Sequence, residues 1–445
     1  MRIAVTARSR YYACVAAVHP FLPGPFARQG GSVDDTDVLT EWVTRQRWFA
    51  GKSHEPRLRI LDVQPVPGAH RYLLMDDAGA VPALYQVPLA LVATPSRADA
   101  VVCQTADGYL VDATRHPEFT VSLLASMGVD VARVTGSRVL SAEQSNTSIV
   151  FEEDGEPTII LKLFRTLHHG ENPDVTVQRV LSDAGSPYVP AFRGSVDADW
   201  PDTGRDAGVA HGTLGFAQDF LPGVRDGWDV ALESARDRRD FTQAARDLGI
   251  ALAAVHGALG ASLETVDAGP DEVAAVGVTW RQRLAVAAAE VPAVAERIAA
   301  IDAVYAAALE RAWPRLQRIH GDLHLGQVLA VPTGGWRVVD FEGEPLRPMH
   351  ERAIPDLPPR DVAGMLRSFD YASAVGGGDD SGDWAADCRD AFVDAYAGAE
   401  GSVALDGLLL KALVLDKAVY ESIYEARNRP DWLPVPLAGI DSALA

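Results

Sequence analysis

Cysteine is scarce. The 445 residues hold three, Cys14, Cys103 and Cys388, far apart and with no CxxC pair. This excludes a disulfide framework and a cysteine-based zinc site, and makes a reducing cytoplasm the simplest setting. Long apolar runs are absent, so no transmembrane helix is expected and no membrane partner. Positive charge is in deficit: 40 Lys and Arg face 61 Asp and Glu, for a formal net charge of −21. That argues against nucleic acid or an anionic membrane as the main partner. It leaves a nucleotide open, because a phosphate pocket needs only a few local cations and backbone N–H groups. A Walker A sequence and a Gly-rich kinase loop are also missing. The opening "MRIAVTARSRYYACVAAVHPFLPGP" weakly mimics a signal peptide, but Arg10, Tyr11, Tyr12 and His19 break its apolar stretch. A poorly ordered leader over 1–33, or an upstream start codon, is the preferred reading.

What is present is a normal globular balance, 48% hydrophobic and 23% charged, in a chain long enough for two or three cores. Residues 34–134 read as a first unit. "DDTDVLTEWVTRQRWFAG" has an acidic first turn and a Gly stop, as a helix does. "LRILDVQPV", "RYLLMDD" and "ALYQVPLAL" alternate like strands of a small antiparallel sheet. Residues 135–223 read as strand-rich, with a helix at "DVTVQRVLSDAGS" and a last strand ending at Pro222-Gly223. From 224 to 445 Ala-rich amphipathic helices dominate, interrupted by two short strands near 328–340. A β-rich lobe followed by an α-rich lobe suits a ligand in the cleft between them.

The chemistry concentrates in "RIHGDLHLGQVLAVPTGGWRVVDFEGEPLRP". Its histidines and carboxylates could ligate a transition metal, could serve Mg²⁺ and a nucleotide, or could tip a solvated hairpin. Asp322 follows His320-Gly321, Gln327 lies five residues on, and Asp340 ends the strand "WRVVD". The order matches a catalytic-loop Asp, a metal-binding amide and an Asp-Phe metal ligand. Phosphoryl transfer needs a carboxylate to orient and deprotonate the acceptor hydroxyl, and hard oxygen ligands for Mg²⁺. Lys162, inside the apolar strand "IILKLFR", is costly there unless it meets an anion. The polar turn "EQSNTS" could close over phosphates. A zinc site through His320 and His324 lacks a third nitrogen or sulfur ligand nearby, and both histidines read better as braces. Glu342 and Glu344 could assist the metal or cap the loop. Arg360, Asp361 and Arg367 read as ion pairs holding the catalytic loop, and His256 as a core histidine.

This H-G-D…Q…D-F-E arrangement resembles the aminoglycoside-phosphotransferase-like, eukaryotic-kinase-like superfamily. Three longer blocks resemble the actinobacterial maltokinases: "RQRWFAGK", "HGDLHLGQ…VVDFEGEP…RDVAGMLRSFDYA" and "DKAVYESIYEARNRPDWLPVPL". The resemblance implies an α+β, bilobal protein-kinase-like fold with an N-terminal α/β cap subdomain over 34–134. It implies a cytoplasmic, ATP- and Mg²⁺-dependent enzyme that phosphorylates maltose at its anomeric hydroxyl for α-glucan synthesis. Carried over by position, Asp322 is the catalytic base, Gln327 and Asp340 are Mg²⁺ ligands, and Lys162 binds phosphate. Ser145, Asn146 and Thr147 form the phosphate loop, and Gln218-Asp219-Phe220 the adenine-binding hinge. One departure concerns the helix after the lysine strand: where relatives carry Glu, this chain has Thr176, so Asp174 or Glu171 would have to partner Lys162.

In the tail, Tyr420 and Tyr424 lie at i, i+4 with Glu421, Glu425 and Asn428 in register, and Arg429 and Trp432 follow. Aromatic faces stack on sugar C–H surfaces, while carboxylates, amides and guanidinium groups hold hydroxyls. These residues, with Asp322 and His324, are the expected sugar site. An acceptor such as glucosamine or an aminoglycoside is the enzymatic alternative. A catalytically silent nucleotide- or glucan-binding regulator is the alternative of another class.

Overall fold

The computed structural model describes residues 27–28, 31–32, 35–52, 54–79, 81–140, 145–344, 347–377 and 383–445. Apart from 27–28 and 31–32, the leader expected over 1–33 lies outside them. The chain divides into two compact units, Met1–Phe119 and Thr120–Ala445.

The first unit pairs helix α1 (Asp35–Val43) with an antiparallel sheet. Its strands are β1 (Leu58–Val66), β2 (Ala69–Asp76), β3 (Ala83–Val92), β4 (Val101–Thr105) and β5 (Gly108–Asp112), in the order β1-β2-β3-β5-β4, and helix α2 (Pro117–Ser126) follows in the chain. Two-residue alternation sends Tyr72 and Leu74 of β2, and Tyr85, Val87 and Leu89 of β3, into one core with Leu39, Trp42, Trp48 and Phe49. Trp48 and Phe49 of the first block are thus core, with the Phe49 and Tyr85 rings 5.4 Å apart.

The second unit opens with a five-stranded antiparallel sheet. Its strands are β6 (Val134–Val139), β7 (Asn146–Glu153), β8 (Glu156–Phe164), β9 (Phe192–Pro201) and β10 (Val209–Asp219), in the order β9-β10-β8-β7-β6. Between β8 and β9 runs helix α3 (Pro173–Asp183), its start fixed by Asn172 accepting from the Asp174 and Val175 N–H groups and by Pro173 at the first position.

A helical half follows: α4 (Gly227–Arg236), α5 (Thr242–Ser262), α6 (Pro270–Glu290), α7 (Ile298–Leu309), α8 (Pro359–Gly377), α9 (Trp384–Gly398), α10 (Gly407–Asn428) and α11 (Pro434–Leu444). The Ala-rich stretch breaks after Glu290, because Pro292 lacks the N–H to continue a helix and Val291 is extended. Two short strands, β11 (Val328–Ala330) and β12 (Trp336–Val338), pair antiparallel beneath the helices. One core unites α5, α6, α8, α9 and α10 through Leu252, Trp280, Phe369, Phe392 and Leu415, each 0 to 1% exposed. Burying side chains of this size contributes roughly 1.5–3 kcal/mol apiece. Among the described residues, no helix is long and apolar enough to cross a membrane.

Candidate active site

The strand register builds the first half of the site. On β8, Leu161 and Leu163 point into the core, and Ile160 and Lys162 point the other way. Lys162 sits opposite Ser148 on β7 and Phe216 on β10, while Ile160 sits opposite Gln218. These side chains line one wall of a cavity of ≈ 570 Å³, whose other walls include Asp174, Gln327 and Asp340.

Lys162 Nζ lies 2.9 Å from Asp174, 2.6 Å from Asp340 and 2.7 Å from Glu342. Burial alone would depress its pKa, but the three carboxylates outweigh it and hold the ammonium well above its ordinary value. Asp174 fills the role left open by Thr176. It is buried, pairs with Lys162 and accepts from the Phe341 N–H at 2.8 Å. Burial and the neighbouring carboxylates push its pKa up to about 6 against the pull of Lys162. Glu171 is committed elsewhere, 2.7 Å from Arg318.

Asp340 has φ = 67°, a left-handed conformation costly for a side-chain-bearing residue and often held at functional sites. Lys162 holds one of its oxygens and the Gln327 amide donates to the other at 3.2 Å. Ligand oxygens of Asp174, Asp340 and Glu342 all lie within 4.8 Å of one another. A cluster of carboxylate oxygens such as this has the hard-oxygen chemistry that suits Mg²⁺, and it contains no histidine. The open segment after Asp340 therefore divides. Glu342 joins Lys162 and the Asn146 amide at 3.0 Å, whereas Glu344 is buried against Arg283 at 3.4 Å and Lys417 at 3.6 Å.

The loop that carries Asp322, between α7 and β11, is braced from behind. Asp361 of α8 accepts from the N–H groups of His320 and Gly321, both at 2.8 Å, and meets His256 Nε2 at 3.0 Å. His256 is the expected core histidine, but it also anchors the loop, with Tyr396 on its other nitrogen at 2.9 Å. His320 Nε2 contacts the Val339 carbonyl at 3.0 Å, and His324 Nδ1 accepts from the Gly326 N–H at 3.0 Å. Both histidines brace, as expected. Gly321 has φ = +83°, and a Cβ on Gly364 would stand 2.4 Å from the Leu323 carbonyl, so α8 reaches the loop only because Gly is there.

On the far side of the loop, α10 lines a cavity of ≈ 470 Å³ with Lys417, Tyr420, Glu421, Tyr424 and Glu425, a stripe at i, i+3, i+4, i+7 and i+8. Arg429 and Trp432 close one end, with the guanidinium 4.5 Å over the indole ring. Tyr371 stacks on Trp432 at 6.2 Å and gives its hydroxyl to Glu425 at 3.2 Å. Asp322 and His324 form the inner wall, and Gly326 lines both cavities. Asp322 Oδ1 receives Lys417 Nζ at 2.9 Å. Burial opposes ionisation of Asp322, but Lys417 and His324 outweigh it and hold its carboxyl below the usual range. Burial lowers the His324 pKa.

Three sequence expectations fail in detail. Asn428 is exposed and donates back to the Tyr424 carbonyl at 2.9 Å, closing the last turn of α10 rather than lining the cavity. Thr147 is buried on the opposite strand face and accepts from Arg165 at 2.7 Å; Ser148 takes the place expected of it. At the hinge Gln218 lines the cavity, but the Phe220 N–H donates to the Thr158 carbonyl and that of Asp219 to Ala191, both at 2.8 Å. Ser145 and Asn146 line the cavity as expected; residues 141–144 of the polar turn lie outside the described residues. Ser148, Lys417 and Tyr371 were not foreseen as site residues, and Asp174 was foreseen only as one of two candidates to pair with Lys162. Lys417 had a signal, three residues before Tyr420 on the same helical face.

The geometry has counterparts among known proteins. Residues 137–404 match the model of the phosphotransferase enzyme family, and residues 42–115 match the maltokinase N-terminal cap domain. A glucosamine kinase of Streptacidiphilus jiangxiensis is 33% identical over 328 residues, 68% of this chain and 73% of the relative. One of Mycolicibacterium smegmatis is 28% identical over 364 residues, 74% and 84% of the two chains. A solved glucosamine kinase in complex with glucosamine, ADP and inorganic phosphate superposes with TM-score 0.67 at 24% identity, over 91% of this chain and 99% of that one. The fold is therefore the α+β aminoglycoside-phosphotransferase-like kinase fold with an N-terminal cap domain, and the chain belongs to the phosphotransferase enzyme family.

Proposed function

We propose that the enzyme transfers the γ-phosphoryl group of ATP to maltose at its anomeric hydroxyl, supplying maltose 1-phosphate. The observation that carries a sugar kinase is the pair of cavities meeting at Gly326, one holding the Lys162 carboxylate cluster and the other Asp322 beneath an aromatic and polar wall. In this reading the sheet wall of Lys162, Ser148, Asn146 and Gln218 receives the nucleotide. Lys162, released from part of its carboxylate cluster, offsets charge on the phosphates. Asp340, Gln327 and Glu342 are the residues that would hold Mg²⁺, which supplies charge stabilisation to the transferring phosphoryl group when bound. Asp322 accepts the hydrogen bond of the acceptor hydroxyl and takes its proton as the bond to phosphorus forms. Trp432, Tyr424 and Tyr420 cover sugar C–H faces, and Glu425, Glu421 and Arg429 fix hydroxyls. Catalysis is then mostly positioning and electrostatics.

Maltose is favoured by the match of residues 42–115 to the maltokinase cap domain and by the tail block. Glucosamine is the second reading, favoured by the relatives that are glucosamine kinases. Incubation with ATP, Mg²⁺ and a panel of sugars, with the product identified by NMR, decides between them. Phosphate on O1 of maltose is the expected result. Phosphate only on an amino sugar would replace maltose, and no sugar product would remove the kinase reading.

A further inference from the structure

We propose that Lys417 screens the acceptor by charge, admitting neutral saccharides and excluding those that carry an ammonium beside the reacting hydroxyl. The inference rests on the reading of Asp322 as the base that meets that hydroxyl. Lys417 Nζ lies 2.9 Å from Asp322 Oδ1, and both side chains are about one-fifth exposed. Glu344 at 3.6 Å and the Tyr420 ring at 5.0 Å hold the ammonium in place. Any group seated next to the hydroxyl on Asp322 is therefore a neighbour of a fixed positive charge.

The rest of the wall repeats the logic. Each carboxylate among the lining residues already has a cation of this chain: Asp322 has Lys417, Glu421 has Arg367 at 2.8 Å, and Glu425 has Arg429 at 2.7 Å. An ammonium-bearing acceptor would need a carboxylate without such a partner, or would have to displace one. A polyol needs neither. It exchanges hydrogen bonds with the paired groups, because carboxylate oxygens and ammonium or guanidinium hydrogens keep unused capacity after pairing. An ammonium about 4 Å from Lys417 is repelled, the neighbouring Asp322 and Glu344 carboxylates offset part of that repulsion, and the remaining cost in affinity is on the order of tenfold or more.

Glucose and glucosamine test this directly, since they differ in shape only at the 2-substituent. Their dissociation constants would be measured on the full chain with ATP analogue and Mg²⁺, at about pH 6 where the amine is protonated. The expected result is a preference for glucose of about tenfold or more in the native enzyme, retained in Lys417→Arg and lost in Lys417→Gln. A merely structural lysine would weaken both sugars alike. Equal or tighter binding of glucosamine by the native enzyme overturns the inference, as does an unchanged ratio in a folded Lys417→Gln. If Lys417→Gln fails to fold, the native ratio decides alone. Phosphoryl transfer to glucosamine in preference to neutral sugars would sink the screen and leave the kinase reading standing. Absence of transfer to any sugar would sink the kinase reading itself.

Discussion

Replacing Lys162 by Met should destabilise the second unit strongly at neutral pH and weakly at acid pH. The substitution keeps the aliphatic stem and deletes the charge on which Asp174, Asp340 and Glu342 converge. Their oxygens lie within 4.8 Å of one another, and at an effective dielectric near 20 two such charges repel by about 3.5 kcal/mol. Asp340 is 38% exposed, so solvent screens its share. The buried Asp174 is left without its cation, and breaking a buried pair in this way costs about 3–5 kcal/mol. The pH dependence follows from Asp174, whose pKa already stands at about 6 and rises further when Lys162 no longer lowers it. The folded variant then takes up a proton that the unfolded chain does not, so its stability rises as pH falls through the folded pKa. Urea unfolding without nucleotide, read by near-ultraviolet circular dichroism, should show a gap of about 3–5 kcal/mol between native and Lys162→Met near pH 7.5. The gap should narrow near pH 5.5, and on addition of Mg²⁺ at neutral pH. A gap below about 1 kcal/mol, or one indifferent to pH, would refute the idea that the lysine neutralises the cluster.

Other consequences are simpler to measure. Asp361→Ala leaves the His320 and Gly321 N–H groups and His256 without their acceptor; kcat should fall at least about tenfold and the melting temperature should drop, a loss of about 3 kcal/mol or more. Unchanged turnover would deny that the brace positions the loop. Trp432→Ala removes the plane between Tyr371 and Arg429. The acceptor KM should rise about tenfold with the KM for ATP unchanged, and equal effects on both would place the ring outside the sugar site.

Much of this site was legible in the sequence because its parts are local. The spacing from Asp322 to Gln327 to Asp340 lies on one loop and one short hairpin, and a lysine in an apolar strand announces an anion nearby. The fold class followed from the order of alternating and helical patterns together with the resemblance. Strand alternation could have corrected one error: Asn146 and Ser148 share a face of β7 and Thr147 has the other, so a run of three phosphate-loop residues was never available. Helical periodicity placed Tyr420, Tyr424 and Glu425 on one face, but it does not say where a face ends. Asn428 keeps the register and spends its amide on closing the helix. What periodicity hides altogether is pairing across long sequence separations. Lys417 meets Asp322 over 95 residues, and Lys162 meets Asp340 over 178. The choice of Asp174 over Glu171 as the lysine's partner depends on how α3 packs behind β8, with Asp174 buried beneath Phe341 and Glu171 drawn to Arg318. Thr176 removed the expected carboxylate, and a neighbour two residues earlier supplies it because Asn172 starts the helix there.

The central claim is that Asp322 stands between a phosphoryl donor and a sugar hydroxyl. Asp322→Asn tests it with little change of shape. Turnover with ATP, Mg²⁺ and the preferred sugar should fall by about 10²–10⁴-fold, while the dissociation constant for ATP stays within about threefold of the native value, since Asp322 lines the cavity under α10 and not the one around Lys162. Turnover within about tenfold of the native enzyme, below the range for a general base, would contradict the account.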